Sequence, residues 1–243
     1  MSAANNQPGP DDPRNVLFAR YCTLVSTLDD IFQLDFVVFE NVPGLKQKKN
    51  LRLYSRLKSS LSKKFKLHEA ELNAADFGVA QNRRRLFIIG ISKRLKQASF
   101  AFPEPKESIA TVRDAIGGLP KPVYFKKGKK KQAGKHHPNH WTMRPMSGRF
   151  KGKKSKRDGR SFIRLKWSKP SRTVAYGHRE IHMHPGGRRR LSIYEAMLLQ
   201  GFSKSYELLG NLSEQVTQVS NAVPPPVAKA LAQSVSATIS AQT

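Results

Sequence analysis

The sequence predicts an α/β fold: the later half of a sheet-and-helix domain, broken by a basic insertion and closed by helices. Three observations predict it. Through Gly90 the residue patterns run helix, strand, helix, strand, strand. From Lys121 to Arg157 lysine and arginine recur without a single acid. Regular structure then returns near Ser192.

Each element has its own signal. Leu17, Tyr21, Leu24, Val25 and Leu28 recur at helical spacing and predict a helix over roughly 14–29. Phe36-Val37-Val38-Phe39 is a short continuous apolar run. Between Asp35 and the turn residues Asn41-Val42-Pro43-Gly44 it suits a buried parallel strand. Leu53, Leu57 and Leu61 share one face of a helix over about 50–63. Strands follow at Lys66–Leu72 and Leu86–Ser92, the second entered through the cluster Arg83-Arg84-Arg85. Within the basic stretch, Trp141, Phe150 and Phe162 favour some order, because disordered tails are poor in aromatics. Ser192 with Glu195 three residues on has the form of a capping box, opening a helix through Leu199. A last helix starts at Pro225-Pro226, where proline is tolerated, and carries Val227, Leu231 and Val235 as its apolar stripe.

Composition narrows the function. The 243 residues hold 44 Lys and Arg against 17 Asp and Glu, a net charge of +27. Such a balance points to a polyanionic partner, most often nucleic acid. A single cysteine, Cys22, excludes an internal disulfide and a metal site built on several thiolates. His136, His137 and His140 lack the cysteines and acids that would make them a metal centre, so no metal is expected. No apolar run reaches membrane-spanning length, and the polar start has no signal-peptide pattern. The expected location is the cytoplasm, on the nucleoid, with no membrane partner.

Several segments, in order, carry a family resemblance. They are Asp12-Pro13-Arg14 with Leu17-Phe18; Glu40-Asn41-Val42-Pro43-Gly44-Leu45; Gln81-Asn82-Arg83-Arg84-Arg85-Leu86; and Asn221-Ala222-Val223-Pro224-Pro225. Between the last two lie Trp167 to Thr173 and Glu195-Ala196 with Leu199-Gln200-Gly201-Phe202. Together they resemble the later motifs of the cytosine-C5 DNA methyltransferases. The resemblance covers nearly all of residues 11–240 and implies part of a Rossmann-like S-adenosylmethionine-dependent methyltransferase fold with a small basic target recognition region.

The resemblance also implies a chemistry. Cytosine C5 is a poor nucleophile until a thiolate adds to C6, after which it takes a methyl group from S-adenosylmethionine. Glu40 would bond ring N3 and the exocyclic amine. Arg85 would reach O2, and Arg83 would help hold the catalytic pocket. Leu17, Asn221 and Val223 would line the donor site. Double-stranded DNA would be the substrate, its base flipped from the stack. Lys126, Lys127, Lys129, Lys130, Lys131, Arg144 and Arg149 would meet it, mostly at phosphates. A restriction–modification setting is implied.

The departures matter as much. The family's Phe-x-Gly-x-Gly donor loop and its Pro-Cys nucleophile motif are absent from these residues, and Ser220 stands where the family usually has Gly. Cys22, mid-helix and downstream of the nucleophile's place, reads as packing. The expected division is a flexible start (1–12), the C-terminal half of a catalytic α/β domain (13–103), a target recognition region (104–190) and helices returning to the catalytic domain (191–243). The expected partner is a complementary N-terminal methyltransferase chain bringing the nucleophile, since Phe36–Phe39 would otherwise expose an apolar edge. A nucleic-acid-binding module and an inactive truncated remnant are the alternative readings.

Overall fold

A computed structural model describes residues 13–125, 136–146, 148–151, 163–173 and 182–241. The chain runs α1 (Pro13–Phe32), β1 (Phe36–Asn41), α2 (Leu51–Leu61), β2 (Phe65–Asn73), β3 (Gln81–Asn82), β4 (Arg84–Ser92), α3 (Val112–Ile116), β5 (Val123–Tyr124), β6 (Trp141–Thr142), β7 (Ile163–Arg164), β8 (Ser171–Arg172), β9 (His182–Met183), α4 (Ile193–Leu199), α5 (Leu212–Asn221) and α6 (Pro225–Ser240). It divides into two compact units. The first holds Met1–Asn73, Arg84–Glu104 and Ala230–Thr243; the second holds Ala74–Arg83 and Pro105–Lys229. These units do not follow the boundaries expected above, because α4, α5 and the start of α6 group with the basic segment. The flexible start at 1–12 lies outside the described residues. Among those described, no helix is long and apolar enough to cross a membrane.

The first unit is built on a three-stranded sheet in the order β1-β4-β2, antiparallel throughout. Central β4 is bonded on both sides and buried at every residue from Leu86 to Ser92. Gly90 sits where the sheet is tightest: a Cβ there would lie 2.7 Å from Val37 Cγ2 and 2.9 Å from Phe65 Cβ. One face of the sheet meets α1 and α2 in a core of Phe18, Val25, Val37, Phe39, Leu57 and Phe65, with Cys22 packed at its margin. Burial of each such side chain contributes roughly 1.5–3 kcal/mol. Lys64 and Arg94 close on the buried Asp29 near the end of α1, at 3.1 and 3.2 Å.

The expected burial of Phe36–Phe39 in a parallel pair is corrected. β1 is an edge strand, joined only to β4 and antiparallel to it. Val37 and Phe39 are buried, whereas Phe36 and Val38 are 44% and 42% exposed. A strand with a neighbour on one side and a helix layer on one face alternates; continuous burial needs cover on both faces.

The second unit has strands of only two residues, paired in parallel as β3–β8, β5–β6 and β7–β9. Its core forms around α4, buried at every position, packed with Val112, Ile116, Trp141, Leu165 and Leu191. A helix apolar on all sides belongs inside. Side chains do much of the bonding that ladders do elsewhere. Asn139 accepts from the Leu208 amide and donates to the Leu208 carbonyl and to Gln215, at 2.9, 2.9 and 3.1 Å. His140 joins Ser192 Oγ and the Pro120 carbonyl, at 2.9 and 2.8 Å.

Candidate active site

Glu40 is the last residue but one of β1, opposite Phe87 of β4. The turn after it is held on three points. The Val42 amide donates to Asn41 Oδ1 (2.8 Å), Asn50 donates to the Gly44 carbonyl (2.7 Å), and Leu45 is fully buried. Arg85, near the start of β4, donates from Nε to Glu40 Oε1 at 3.0 Å. The side chains of this pair are 14% and 27% exposed for Arg85 and Glu40, so it is shielded without being sealed. Burial pulls the Arg85 guanidinium below its ordinary pKa, while the Glu40 carboxylate opposes that fall.

Beside Glu40 opens a pocket of about 370 Å³ lined by Leu17, Phe18, Tyr21, Val38, Phe39, Glu40 and Asn41. Its walls are aromatic and aliphatic, and its polar end is the carboxylate. Such a site takes a flat ring on its faces and bonds that ring's edge through Glu40. Tyr21 donates its hydroxyl to the Val38 carbonyl (2.9 Å) and packs edge-on against Phe39; burial, with Cys22 nearby, pushes its phenol up to about 12.

Arg83 belongs to the second unit. It is buried and donates from Nη2 to the Ser220 carbonyl at 2.8 Å. A cation at the carbonyl end of a helix is favourably placed, and here it fixes the end of α5 just before Asn221 and Val223. Gln200 reinforces that end by donating to the neighbouring Val219 carbonyl at 2.5 Å. Arg144 is exposed and lies over the Tyr124 ring, 5.9 Å from its centroid. Lys126, Lys127, Lys129, Lys130 and Lys131 lie outside the described residues, and so does the side chain of Arg149.

Of the residues singled out from sequence, the structure joins Glu40, Arg85 and Leu17 about one pocket, and separately joins Arg83 to the turn bearing Asn221 and Val223. Sequence reasoning missed Gln200 as a support of that turn. It also left Tyr21 as one more helix-face residue. The Arg189–Glu195 pair escaped it as well: Arg189 donates twice to the fully buried Glu195, at 2.7 and 2.6 Å. The signal was an arginine six residues before the capping-box glutamate.

The family model for C-5 cytosine-specific DNA methylases matches residues 1–237. The chain belongs to that family. Among its relatives, the type II methyltransferase M.MthTI of Methanothermobacter thermautotrophicus is 33% identical over 257 residues, covering 96% of this chain and 74% of M.MthTI. M1.HphI of Haemophilus parahaemolyticus is 32% identical, covering 93% of this chain and 62% of its own length. The fold agrees. A protein described as a DNA modification methyltransferase encoded within an Escherichia coli prophage superposes with a TM-score of 0.74 at 24% identity, over 95% of this chain and 76% of that one. Dnmt2 of S. pombe superposes with a TM-score of 0.61 at 14% identity, over 97% and 76%. This methylase chain therefore spans between about three fifths and three quarters of those proteins. Its family is S-adenosylmethionine-dependent.

Proposed function

We propose that this chain forms the base-stabilising and target-recognising part of a DNA (cytosine-5-)-methyltransferase of the restriction–modification kind, acting on double-stranded DNA in the cytoplasm. The observation that carries the reading is the Glu40–Arg85 pair, set on neighbouring antiparallel strands at the mouth of an apolar pocket. A flipped cytosine offers N3, the exocyclic amine and O2 along one edge. A carboxyl group and a guanidinium side by side answer that edge with an acceptor and a donor. Glu40 holds a proton at N3 as charge develops on the ring, and Arg85 stabilises O2. To reach the base, Glu40 has to share the oxygen that Arg85 holds in the free chain.

The remaining assignments rest on the same reading. Arg83, through the Ser220 carbonyl, steadies the turn bearing Asn221 and Val223, which with Leu17 line the donor site. S-adenosylmethionine, when bound, supplies the methyl group. The residues present fit one wall of its site, because the apolar pocket at Leu17 suits a flat ring while the sequence contains no Gly-rich donor loop. The nucleophilic thiol comes from polypeptide outside these 243 residues, since Cys22 packs against the helix–sheet core. The target recognition region lies within 104–190, where Lys126, Lys127, Lys129, Lys130, Lys131, Arg144 and Arg149 bind phosphate and make affinity fall steeply with salt.

The test is co-expression with the reading frame immediately upstream, followed by transfer of a tritiated methyl group to DNA. Transfer that needs both polypeptides and disappears in Glu40→Gln supports the reading. Salt-sensitive DNA binding indifferent to Glu40→Gln, with no transfer, would instead make the chain a binding module, the reading its charge of +27 favours.

A further inference from the structure

The phase of the β1–β4 ladder decides what β1 presents on its outer side. Ser92 donates its amide to the Asp35 carbonyl at 2.8 Å, which marks that pair as hydrogen-bonded. Pairs alternate along an antiparallel ladder. Val37, Phe39 and Asn41 therefore bond to β4, while the amides and carbonyls of Phe36, Val38 and Glu40 turn outward. One of these outward carbonyls, that of Val38, accepts the Tyr21 hydroxyl. The side chains alongside are apolar and exposed. Phe36 and Val38 project from the strand, and Leu17, Leu24 and Ile31, each seven residues from the next, form a line along α1 that is 58%, 56% and 64% exposed. Residues seven apart fall on one helix face with little drift. Leu17 ties this line to the strand, because it shares the pocket with Val38 and Glu40.

We propose that this face, β1's outer edge with the Leu17–Leu24–Ile31 line, docks an extended strand of the nucleophile-bearing polypeptide, and that Tyr21 occupies the Val38 carbonyl until the strand takes it. The inference rests on the function proposed above and names the surface on which its second polypeptide sits. Two facts select this occupant. The chain is matched over nearly its whole length yet spans only 62–76% of its relatives and structural neighbours, so a quarter or more of a family member lies outside these residues. A second copy is disfavoured, because each carries a net charge of +27 and would repel the other. An outward row of backbone groups flanked by exposed apolar side chains is a template for strand addition. The Tyr21 hydroxyl blunts that template at its middle carbonyl while the chain is alone.

The experiment is amide hydrogen exchange on the full chain, with and without the purified part of M.MthTI that has no counterpart here. The expected result is slowing at the Phe36, Val38 and Glu40 amides by at least tenfold, with the Val37 and Phe39 amides, already bonded to β4, unchanged. Tyr21→Phe removes the competitor and tightens binding about two- to tenfold, the weight of one hydrogen bond. Val38→Lys, at an exposed position, weakens binding at least tenfold and leaves the free chain folded. Absence of binding, binding that leaves those three amides unchanged, or protection that grows with the concentration of this chain alone overturns the proposal. Methyl transfer is scored separately. Edge protection without transfer removes the activity and keeps the docking surface; transfer without edge protection does the reverse.

Discussion

Two buried glutamates, one in each unit, are held by cations in different ways. Glu69 on β2 meets Lys46 at 2.9 Å and Lys58 at 3.2 Å, and also accepts the Tyr54 hydroxyl, with its side chain 19% exposed. Glu195 in α4 is wholly enclosed, grips Arg189 through both oxygens, and accepts the Ser192 amide as half of a capping box. In the first unit the sheet is already complete from backbone bonds, and Glu69 decorates it. In the second unit the strands are two residues long, so enclosed side-chain bonds hold loops that no ladder reaches. The first unit's stability is therefore apolar and distributed, and the second's is polar and concentrated in a few groups.

The largest expected effect tests that concentration. Glu195→Ala strands the Arg189 guanidinium in a largely buried place and removes the cap acceptor. Breaking one partner of a buried pair costs about 3–5 kcal/mol. Trp141 and Trp167 both belong to the second unit, so tryptophan fluorescence in a urea titration reports that unit. The expected result is a midpoint shift matching this loss, with Glu195→Gln losing less because it keeps an acceptor for Ser192. An Ala variant within 1 kcal/mol of the parent would show that the polar contacts are not what holds the unit.

Next in size is acid sensitivity, also in the second unit. His182 is buried, neither ring nitrogen has a hydrogen-bond partner, and burial together with Arg172 lowers its pKa to about 4. The unfolded chain takes up this proton near the ordinary value of about 6.5, and the folded chain only near 4. Stability is therefore full above about pH 6.5, falls by roughly 1.4 kcal/mol per pH unit on the way down, and levels off below about 4. His137, His140 and His184 are lowered too, each chiefly by burial, and add to the same slope. His182→Leu should flatten the fluorescence-detected profile between pH 6.5 and 4. A profile as steep as the parent's would place the acid sensitivity elsewhere.

The same contrast explains what the sequence disclosed. Periodicity located α1, β1, α2, β2 and β4 within a few residues, because each is regular and has one face on a common core. It could not reveal that β1 stands at an edge, since strand order depends on which partners are present. In the second unit the capping boxes were the readable part. Ser192–Glu195 was found, yet Thr111–Asp114 and Asn211–Glu214, which open α3 and α5 in the same way, were passed over. Neither is followed by an apolar run long enough to draw attention. Glu40 and Arg85 were legible from their motifs as residue types, but their 3.0 Å contact was not, because forty-five positions separate them and only the ladder register brings them together. The roles of Asn139 and Gln200 lay out of reach: their partners are backbone groups of distant loops, and backbone has no sequence signature.

A smaller effect probes the apolar side of the comparison. Gly90→Ala places a methyl group against Val37 Cγ2 and Phe65 Cβ, and the Phe65 atom sits at the root of its side chain and cannot swing away. Overpacking of this kind costs typically 1–3 kcal/mol. The loss should appear as faster amide exchange along β1, β2 and β4. Tryptophan fluorescence should move less than exchange does. Equal movement of both would mean the two units unfold as one.

The smallest effect is the sharpest test of whether Glu69 is ornament. Lys58→Met removes a half-exposed cation, 42% open to solvent, yet leaves Lys46 and the Tyr54 hydroxyl on the same carboxylate. Exposed pairs are worth about 0–1 kcal/mol because solvent and salt already screen them, and here the carboxylate keeps other partners. The variant should sit within that range of the parent, with the small difference vanishing as salt is raised. Set beside Glu195→Ala, it asks one question of two carboxylates. If Lys58→Met costs as much as the Glu195 change, enclosure does not separate the units, and the first is held by its charges as firmly as by its sheet.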